Sequence, residues 1–348
     1  MARVIYGVHG TGHGHAVRAL TVARHFPEHE FLFLSHGTAA DLLKAEYEVV
    51  DCPNPETPVK GHKVAGAATL YSNLKVRSRS KGIIRRVLEV IERFQPEVAI
   101  TDYEYFLPRA SRLVGLPCLS LDHQHVITCC DHPVPWPQLP SYLITAWAVR
   151  RYFSAASYFL VTSFFQPPVK PGAKVKLLPS LLRESVLARR PQDGDHVVAY
   201  QGYATFKRFF PFLSAIQRPV LVYGFDRDHT AGNLRFKKNS EPGFLDDLAS
   251  CRYVICGGGH SLISEALFYG KPVISFPVKN AFEQFLNAFY VGHLGYGRYF
   301  TGLRPPPEII PAFEARLDDF RNNIRGGRFC GNPEIFALVQ QFIQERKL

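Results

Sequence analysis

The 348-residue chain is 46% hydrophobic and 20% charged, which excludes disorder and suits two domains, each large enough for its own core. It has no run of about 18 uncharged apolar residues; the nearest, 142–165, is broken by Arg150 and Arg151. Seven irregularly spaced cysteines argue against a disulfide framework and for a reducing compartment, with the cytoplasm expected.

The formal net charge of +11 is partly local. Lys75, Arg77, Arg79, Lys81, Arg85 and Arg86 fall in KVRSRSKGIIRR. Such a segment attracts an anionic membrane surface at about 1 kcal/mol per basic side chain, or is simply a solvated helix face. Nucleic acid is not an expected partner, because no recognition motif accompanies the charge.

Arg3-Val4-Ile5-Tyr6 runs directly into a strand pattern, so no signal peptide is expected. Residues 4–7 form that strand, GVHGTGHGH a loop, and 16–26 a helix with Val17, Leu20, Val22 and Ala23 available to pack. Strands follow at 31–35 and 47–50, with a helix at 38–44 between them. Pro53, Pro55 and Pro58 open a loop leading to the basic helix, 74–94. Strands at 97–101 and 118–121 flank a short helix, 107–114; a helix at 143–153 and a last strand at 158–162 close this half. Strand and helix alternating in this way predict a parallel sheet covered on both faces.

QPPVKPG, from Gln166, reads as a linker by composition. A second alternation follows, with strands at 197–201, 220–223 and 234–236, and helices at 206–214 and 243–250. Then comes VICGGGHSLISEALFYGKPVISFP, a β-α-β unit with its glycines where strand becomes helix. A helix at 280–292, a short strand at Tyr299 and a terminal helix from Asn332, with Pro333 in its first turn, complete the chain. The expected organisation is α/β: a first doubly wound domain, 1–165, a linker, 166–180, a second doubly wound domain, 181–331, and a C-terminal helix, 332–348, packing back on the first domain. Ligands in such sheets bind at the carboxyl ends of the strands, so the two domains are expected to face a central cleft.

The Gly-rich loops fail the tests for dinucleotide and P-loop sites. Position 15 is His15 and position 17 is Val17 where G-x-G-x-x-G needs glycine, and Gly270-Lys271 is followed by proline. The first loop instead carries His9, His13 and His15 among four glycines. A histidine where loop turns into helix has the pKa range to take a proton from an alcohol near neutral pH; it can equally cap or pack. Asp102, ending an apolar strand, either orients His15, binds an acceptor or caps the next helix.

In the second half, Gly258, Gly259, His260 and Ser261 lie where helix amides point outward at the positive end of the helix dipole, a place for a diphosphate. Glu265 shares a helix face with Ser261 at i, i+4, a spacing that a capping box does not explain. A carboxylate there can accept two ribose hydroxyls. Glu283, Gln284 and Asn287 form a second polar patch of the kind a sugar needs, or ordinary polar residues of a helix start. Asp122, His123, His125, Cys129, Cys130, Asp131 and His132 crowd eleven residues, but without regular ligand spacing no metal is expected.

With these motifs, GTGHGHAVRAL in the first half and CGGGHSLISEALFYGKPVISFP followed by FEQFLNA in the second, the chain resembles the GT-B glycosyltransferases. The clan is that of the lipid II-forming N-acetylglucosaminyltransferase and the UDP-glycosyltransferases. The start, G-x-G-x-G-H-x-x-R, is similar to a small bacterial and archaeal branch. The resemblance implies two Rossmann-like domains and places His15 as general base or acceptor-orienting histidine, Gly258, Gly259, His260 and Ser261 on the donor diphosphate, and Glu265 on its ribose. It places Glu283, Gln284 and Asn287 at the donor sugar. Glu-Gln stands here for the family's Asp-Gln or Gln-Gln, which leaves the sugar open. A loop one residue shorter in the lipid II enzyme leaves His13 and His15 both in contention.

The implied reaction is an inverting, metal-independent transfer from a nucleoside-diphosphate sugar, UDP being the expected nucleotide, to a hydroxyl of a glycan or lipid-linked acceptor. No cofactor beyond the sugar nucleotide is expected. The competing readings are a nucleotide-sugar epimerase on the same fold, and a non-catalytic protein that binds membrane or polyanion.

Overall fold

The computed structural model describes residues 1–201, 209–238, 240–302 and 306–348. Its strands are β1 (Arg3–Val8), β2 (Glu30–Ser35), β3 (Glu48–Asp51), β4 (Val59–Lys60), β5 (Lys63–Val64), β6 (Val98–Asp102), β7 (Cys118–Asp122), β8 (Tyr158–Thr162) and β9 (Lys176–Leu178). There follow β10 (Val197–Tyr200), β11 (Val220–Tyr223), β12 (His229–Ala231), β13 (Leu234–Phe236), β14 (Val254–Cys256), β15 (Val273–Ser275) and β16 (Gly297–Tyr299).

The helices are α1 (His13–His25), α2 (Gly37–Leu43), α3 (Gly66–Phe94), α4 (Leu107–Val114), α5 (Val126–Cys129), α6 (Leu139–Ala148) and α7 (Glu184–Leu187). After them come α8 (Phe210–Ser214), α9 (Glu241–Ser250), α10 (His260–Phe268), α11 (Phe282–His293), α12 (Ile309–Glu314), α13 (Leu317–Arg325) and α14 (Asn332–Glu345).

The chain divides into two compact units: Met1–Thr57 with Gly66–Arg183 and Cys330–Leu348, and Pro58–Ala65 with Glu184–Phe329. The first holds a parallel sheet in the order β3-β2-β1-β6-β7-β8-β9. Its central strands are apolar on both faces because each face is covered. Tyr6, Phe33, Ile100 and Leu121 pack with Ala19, Leu20 and Ala23 of α1 and with Ile335, Val339 and Phe342 of α14. Ile5, Leu34, Ala99 and Cys118 point the other way, to Ile83, Val87 and Ile91 of α3 and Ala110 of α4. The second unit repeats the plan in the order β12-β13-β11-β10-β14-β15-β16, parallel except for β12 against β13. Its core joins Ala199, Val222, Ile255 and Ile274 to Phe212, Phe313 and Phe320. Both are Rossmann-like, the architecture expected from the alternation.

Several boundaries differ from the sequence reading. The stretch read as a linker, 166–180, contains β9, which pairs with β8 through Thr162 and Leu178, so 158–162 is not the last strand of its sheet. The basic helix starts at Gly66, not at 74. Residues 58–65, read as loop, form the hairpin β4–β5 of the second unit, bridged from Lys63 to Lys279 with His62 Nε2 2.9 Å from the Phe276 carbonyl. The helix expected at 206–214 is seen as α8; residues 206–208 lie outside the described residues. No helix among the described residues is long and apolar enough to cross a membrane.

Among the parallel strands of each sheet the order reverses once, between β1 and β6 in the first and between β10 and β14 in the second. At such a reversal the two following loops diverge to opposite faces and leave a crevice at the carboxyl ends of the strands.

Candidate active site

At the reversal of the first sheet, β1 hands over to α1 through His9–Gly12, and β6 ends in Asp102. Gly12, at φ +85°, takes the left-handed backbone that lets α1 begin at His13. Gly10 is needed for a different reason: a Cβ there would lie 2.4 Å from the His36 ring. The loop is tied to the neighbouring strand by His9 N–H donating to the Asp102 carbonyl at 3.0 Å.

Three side chains meet at this point. His15 Nδ1 is 2.7 Å from Asp102 Oδ1. Arg18, one turn further along α1, donates from Nε to Oδ2 at 2.8 Å and from an Nη to Oδ1 at 2.7 Å. Asp102 is fully buried, Arg18 nearly so, and the His15 side chain keeps 13% of its surface. A carboxylate braced by a bidentate guanidinium is charged and only accepts, so it fixes the proton of His15 on Nδ1 and leaves Nε2 as an acceptor. The Asp102 carboxylate and its hydrogen bonds raise Arg18 against the opposing effect of burial.

Aromatic rings wall this histidine. Tyr103 lies parallel to His15 with centroids 6.3 Å apart, and His9 meets it edge-on at 5.3 Å. Burial, reinforced by His15 and His36, holds His9 well below the ordinary histidine value, so His9 stays neutral. His13 is exposed at the first position of α1. Asp102 is thus brought to His15, and the capping reading fails: Glu104, not Asp102, accepts the N–H groups of Phe106 and Leu107 at the start of α4, at 2.7 and 2.5 Å. Sequence reasoning missed Arg18. Its signal was an arginine at i+3 from His15, on the side of α1 that must pack.

The crowded 122–132 segment resolves into separate contacts. Asp122 Oδ2 accepts from His125 Nδ1 at 2.7 Å and from Ser120 Oγ at 2.5 Å. Burial would raise the Asp122 carboxyl, but His125 and these hydrogen bonds outweigh it and hold it well below the carboxylate range. His123 reaches the Thr162 carbonyl and His132 the Ile127 carbonyl. Among the described residues no three His, Cys, Asp or Glu side chains group as metal ligands. The chain does contain two Asp-x-Asp triplets. In the first, Asp193 pairs with Lys271 and Arg321 while Asp195 pairs with Arg218. In the second, Asp226 and Asp228 are exposed.

In the second unit, β14 leads through Gly257–Gly259 into α10. Gly258 is required by packing, since a Cβ would lie 2.2 Å from the Gln284 carbonyl. The turn is pinned from α11 and β15: Gln284 Oε1 accepts from Val278 N–H at 3.0 Å and Gly258 N–H at 3.4 Å, Asn287 Nδ2 donates to the Gly258 carbonyl at 2.9 Å, and Ser275 Oγ to the Gly257 carbonyl at 3.1 Å. Gly259 faces open space, and no side chain caps the first turn of α10. The amides of Gly259 and Ser261 lie at the positive end of the α10 dipole.

Asn287 is fully buried, and its Nδ2 holds the turn. Gln284 likewise spends its carbonyl oxygen on backbone. His260 is buried beside Ser264, with its Nε2 3.4 Å from the hydroxyl. Ser261 and Glu283 are partly exposed at the first turns of α10 and α11. Glu265 lies at the buried edge beside Tyr200, whose phenol is raised by burial and by the Glu265 charge. Gln201, at the end of β10, was not anticipated. It is 2% exposed, and its Nε2 has no hydrogen-bond partner among the described residues.

The family model described as "Glycosyl transferase family 1" matches residues 2–317. An uncharacterised glycosyltransferase of Methanosarcina mazei is 25% identical, over 93% of this chain and 92% of its own length. One of Methanosarcina acetivorans is also 25% identical, over 99% of each chain. Among solved structures, Acinetobacter baumannii MurG superposes with a TM-score of 0.62 at 15% identity, covering 98% of this chain and 100% of its own. Phytolacca americana UGT2, in complex with UDP-2-fluoroglucose and pterostilbene, gives 0.66 at 14% identity over 93% of each. These structures share the GT-B fold.

Proposed function

We propose, for a chain that belongs to glycosyl transferase family 1, an inverting, metal-independent transfer from a nucleoside-diphosphate sugar to an acceptor hydroxyl. The observation that carries this reading is the His15–Asp102–Arg18 cluster at the first sheet's reversal. His15 Nε2 takes the proton of the acceptor hydroxyl, whose oxygen attacks the anomeric carbon from the face opposite the diphosphate. The bond from that carbon to the diphosphate oxygen breaks, and the nucleoside diphosphate leaves with inversion. Asp102 keeps His15 in the tautomer that can accept and stabilises the imidazolium that forms. His13 is exposed and lacks this bracing, so His15 is the proposed base.

The leaving charge is met by the amides of Gly259, His260 and Ser261 at the positive end of α10. Gln201 Nε2, a buried donor at the same edge, supplies a further hydrogen bond to the diphosphate. Glu265 and Glu283 accept from the ribose and sugar hydroxyls respectively, and Gln284, whose Oε1 is held by backbone N–H groups, donates to the sugar from Nε2. UDP is the proposed nucleotide and a lipid-linked or cell-envelope glycan the proposed acceptor. The exposed basic row of α3, Lys75 to Arg86, would hold the protein at an anionic membrane surface on the cytoplasmic side. No cofactor enters this scheme.

Thermal unfolding with UDP, GDP and dTDP tests the donor half. One nucleotide is expected to raise the melting temperature, and Glu265→Ala to remove most of the rise; unchanged melting with all three would overturn the reading. A panel of sugar nucleotides then identifies the donor, and conversion of the sugar with no acceptor added would point instead to an epimerase.

A further inference from the structure

Helix α6 is apolar on both sides, although only one side packs. Ala146, Val149 and Phe153, three and four residues apart, form its buried row and that of the wide turn Val149–Phe153 that continues it. On the opposite row Leu143, Ile144 and Trp147 are 56%, 69% and 57% exposed, and Trp136, just ahead of α6, is 82% exposed. A surface helix ordinarily turns charged residues to water. This row ends in Arg150 and Arg151, both exposed. Between Asp131 and Glu184 the sequence contains no acidic residue.

We propose that residues 136–151 are a membrane-docking element that seats in the interface of an anionic lipid bilayer. Trp136, Leu143, Ile144 and Trp147 enter the boundary between headgroups and acyl chains, where tryptophan's apolar ring and polar N–H are both satisfied. Arg150 and Arg151 lie against the lipid phosphates. A second copy of the chain is a worse fit for this face. A two-fold contact of this segment would set acid-free residues 132–183 against themselves and give Arg150 and Arg151 no carboxylate within the segment to meet. The element is distinct from the basic row of α3, and stable peripheral binding takes two such signals.

Its position also bears on the acceptor, a consequence that rests on the lipid-linked reading, whereas the docking does not. Phe153 stacks on Tyr103 with centroids 3.8 Å apart, and Tyr103 lies parallel to His15. The turn that follows α6 thus ends on the aromatic wall of the proposed base.

Trp136 and Trp147 are the chain's two tryptophans, so intrinsic emission reports on this surface alone. The full-length protein is titrated with vesicles of phosphatidylglycerol mixed with phosphatidylcholine, and with phosphatidylcholine alone. With the anionic vesicles, emission is expected to shift to the blue and to be quenched by lipids brominated on their acyl chains. Leu143→Ser with Ile144→Ser is expected to weaken vesicle binding about tenfold or more, as the loss of two buried aliphatic side chains implies. Arg150→Gln with Arg151→Gln should remove the preference for anionic vesicles. Circular dichroism melting checks that each variant is folded. Unchanged emission with anionic vesicles overturns the proposal; if the protein still floats with those vesicles, the contact belongs to α3. A concentration-dependent dimer in sedimentation velocity that the Leu143/Ile144 variant abolishes would assign the face to a second copy and overturn it as well.

Discussion

Asp102 has no contact with water, and both its oxygens are taken by α1: its charge is balanced by Arg18 and hydrogen-bonded by His15 on the same helix face. Removing Arg18 would leave that carboxylate buried and uncompensated. Arg18→Ala is therefore expected to cost about 3–5 kcal/mol in chemical denaturation, and a cost under about 1 kcal/mol, the range of exposed ion pairs, would contradict the pairing. Asp102 and His15 were legible because an acidic strand end and a histidine at a loop–helix junction are the residue types the chemistry needs. Arg18 was not legible as a partner, because its contact spans 84 positions and a lone arginine on a helix reads equally as surface. A second prediction concerns His9. Burial holds it below the ordinary value, so below about pH 6.5 the unfolded chain takes a proton that the folded chain refuses. Its contribution is complete above that pH and falls, by up to about 1.4 kcal/mol per pH unit, as the pH drops toward the folded value. His9→Gln should therefore flatten the pH dependence of stability between about pH 7.5 and 5.5, measured by urea denaturation against the parent protein. An identical slope would show that His9 titrates normally.

At the scale of elements, the turn between β14 and α10 is built by two glycines with different duties. Gly258→Ala drives a methyl into the Gln284 carbonyl, and overpacking of this kind costs about 1–3 kcal/mol. Gly259→Ala meets no protein atom, so its expected effect is a loss of nucleotide-induced stabilisation with the unliganded melting temperature nearly unchanged. Equal effects of the two substitutions on the unliganded protein would contradict this division. The sequence showed the glycines as a group but not which one packs, because that depends on a helix 26 residues downstream. The burial of Asn287 inside α11 was not legible for the same reason. Strand β9 escaped notice because three residues at a sheet edge, after a run of prolines, leave no periodicity to read. The hairpin of β4 and β5 is shorter still, and its pairing to Lys279 is a tertiary matter.

For the whole molecule, the alternation of apolar runs with amphipathic stretches was enough to give two doubly wound sheets, since parallel strands need covered faces and crossover helices. The same topology fixes where the loops after β1, β6, β10 and β14 emerge, at each sheet's reversal. The exposed row of α6 was not read as a surface, because an apolar helix in a sequence is ordinarily a buried one. In the proposed reaction the second unit holds the nucleotide and the first activates the acceptor. The most direct measurement compares His15→Ala with the parent protein in two assays, sugar transfer from the donor found in the panel and thermal stabilisation by its nucleoside diphosphate. Turnover is predicted to fall by about 10²–10⁴ while the stabilisation by nucleotide stays as in the parent. Turnover within a few-fold of the parent's, with the nucleotide still bound, would contradict His15 as the base.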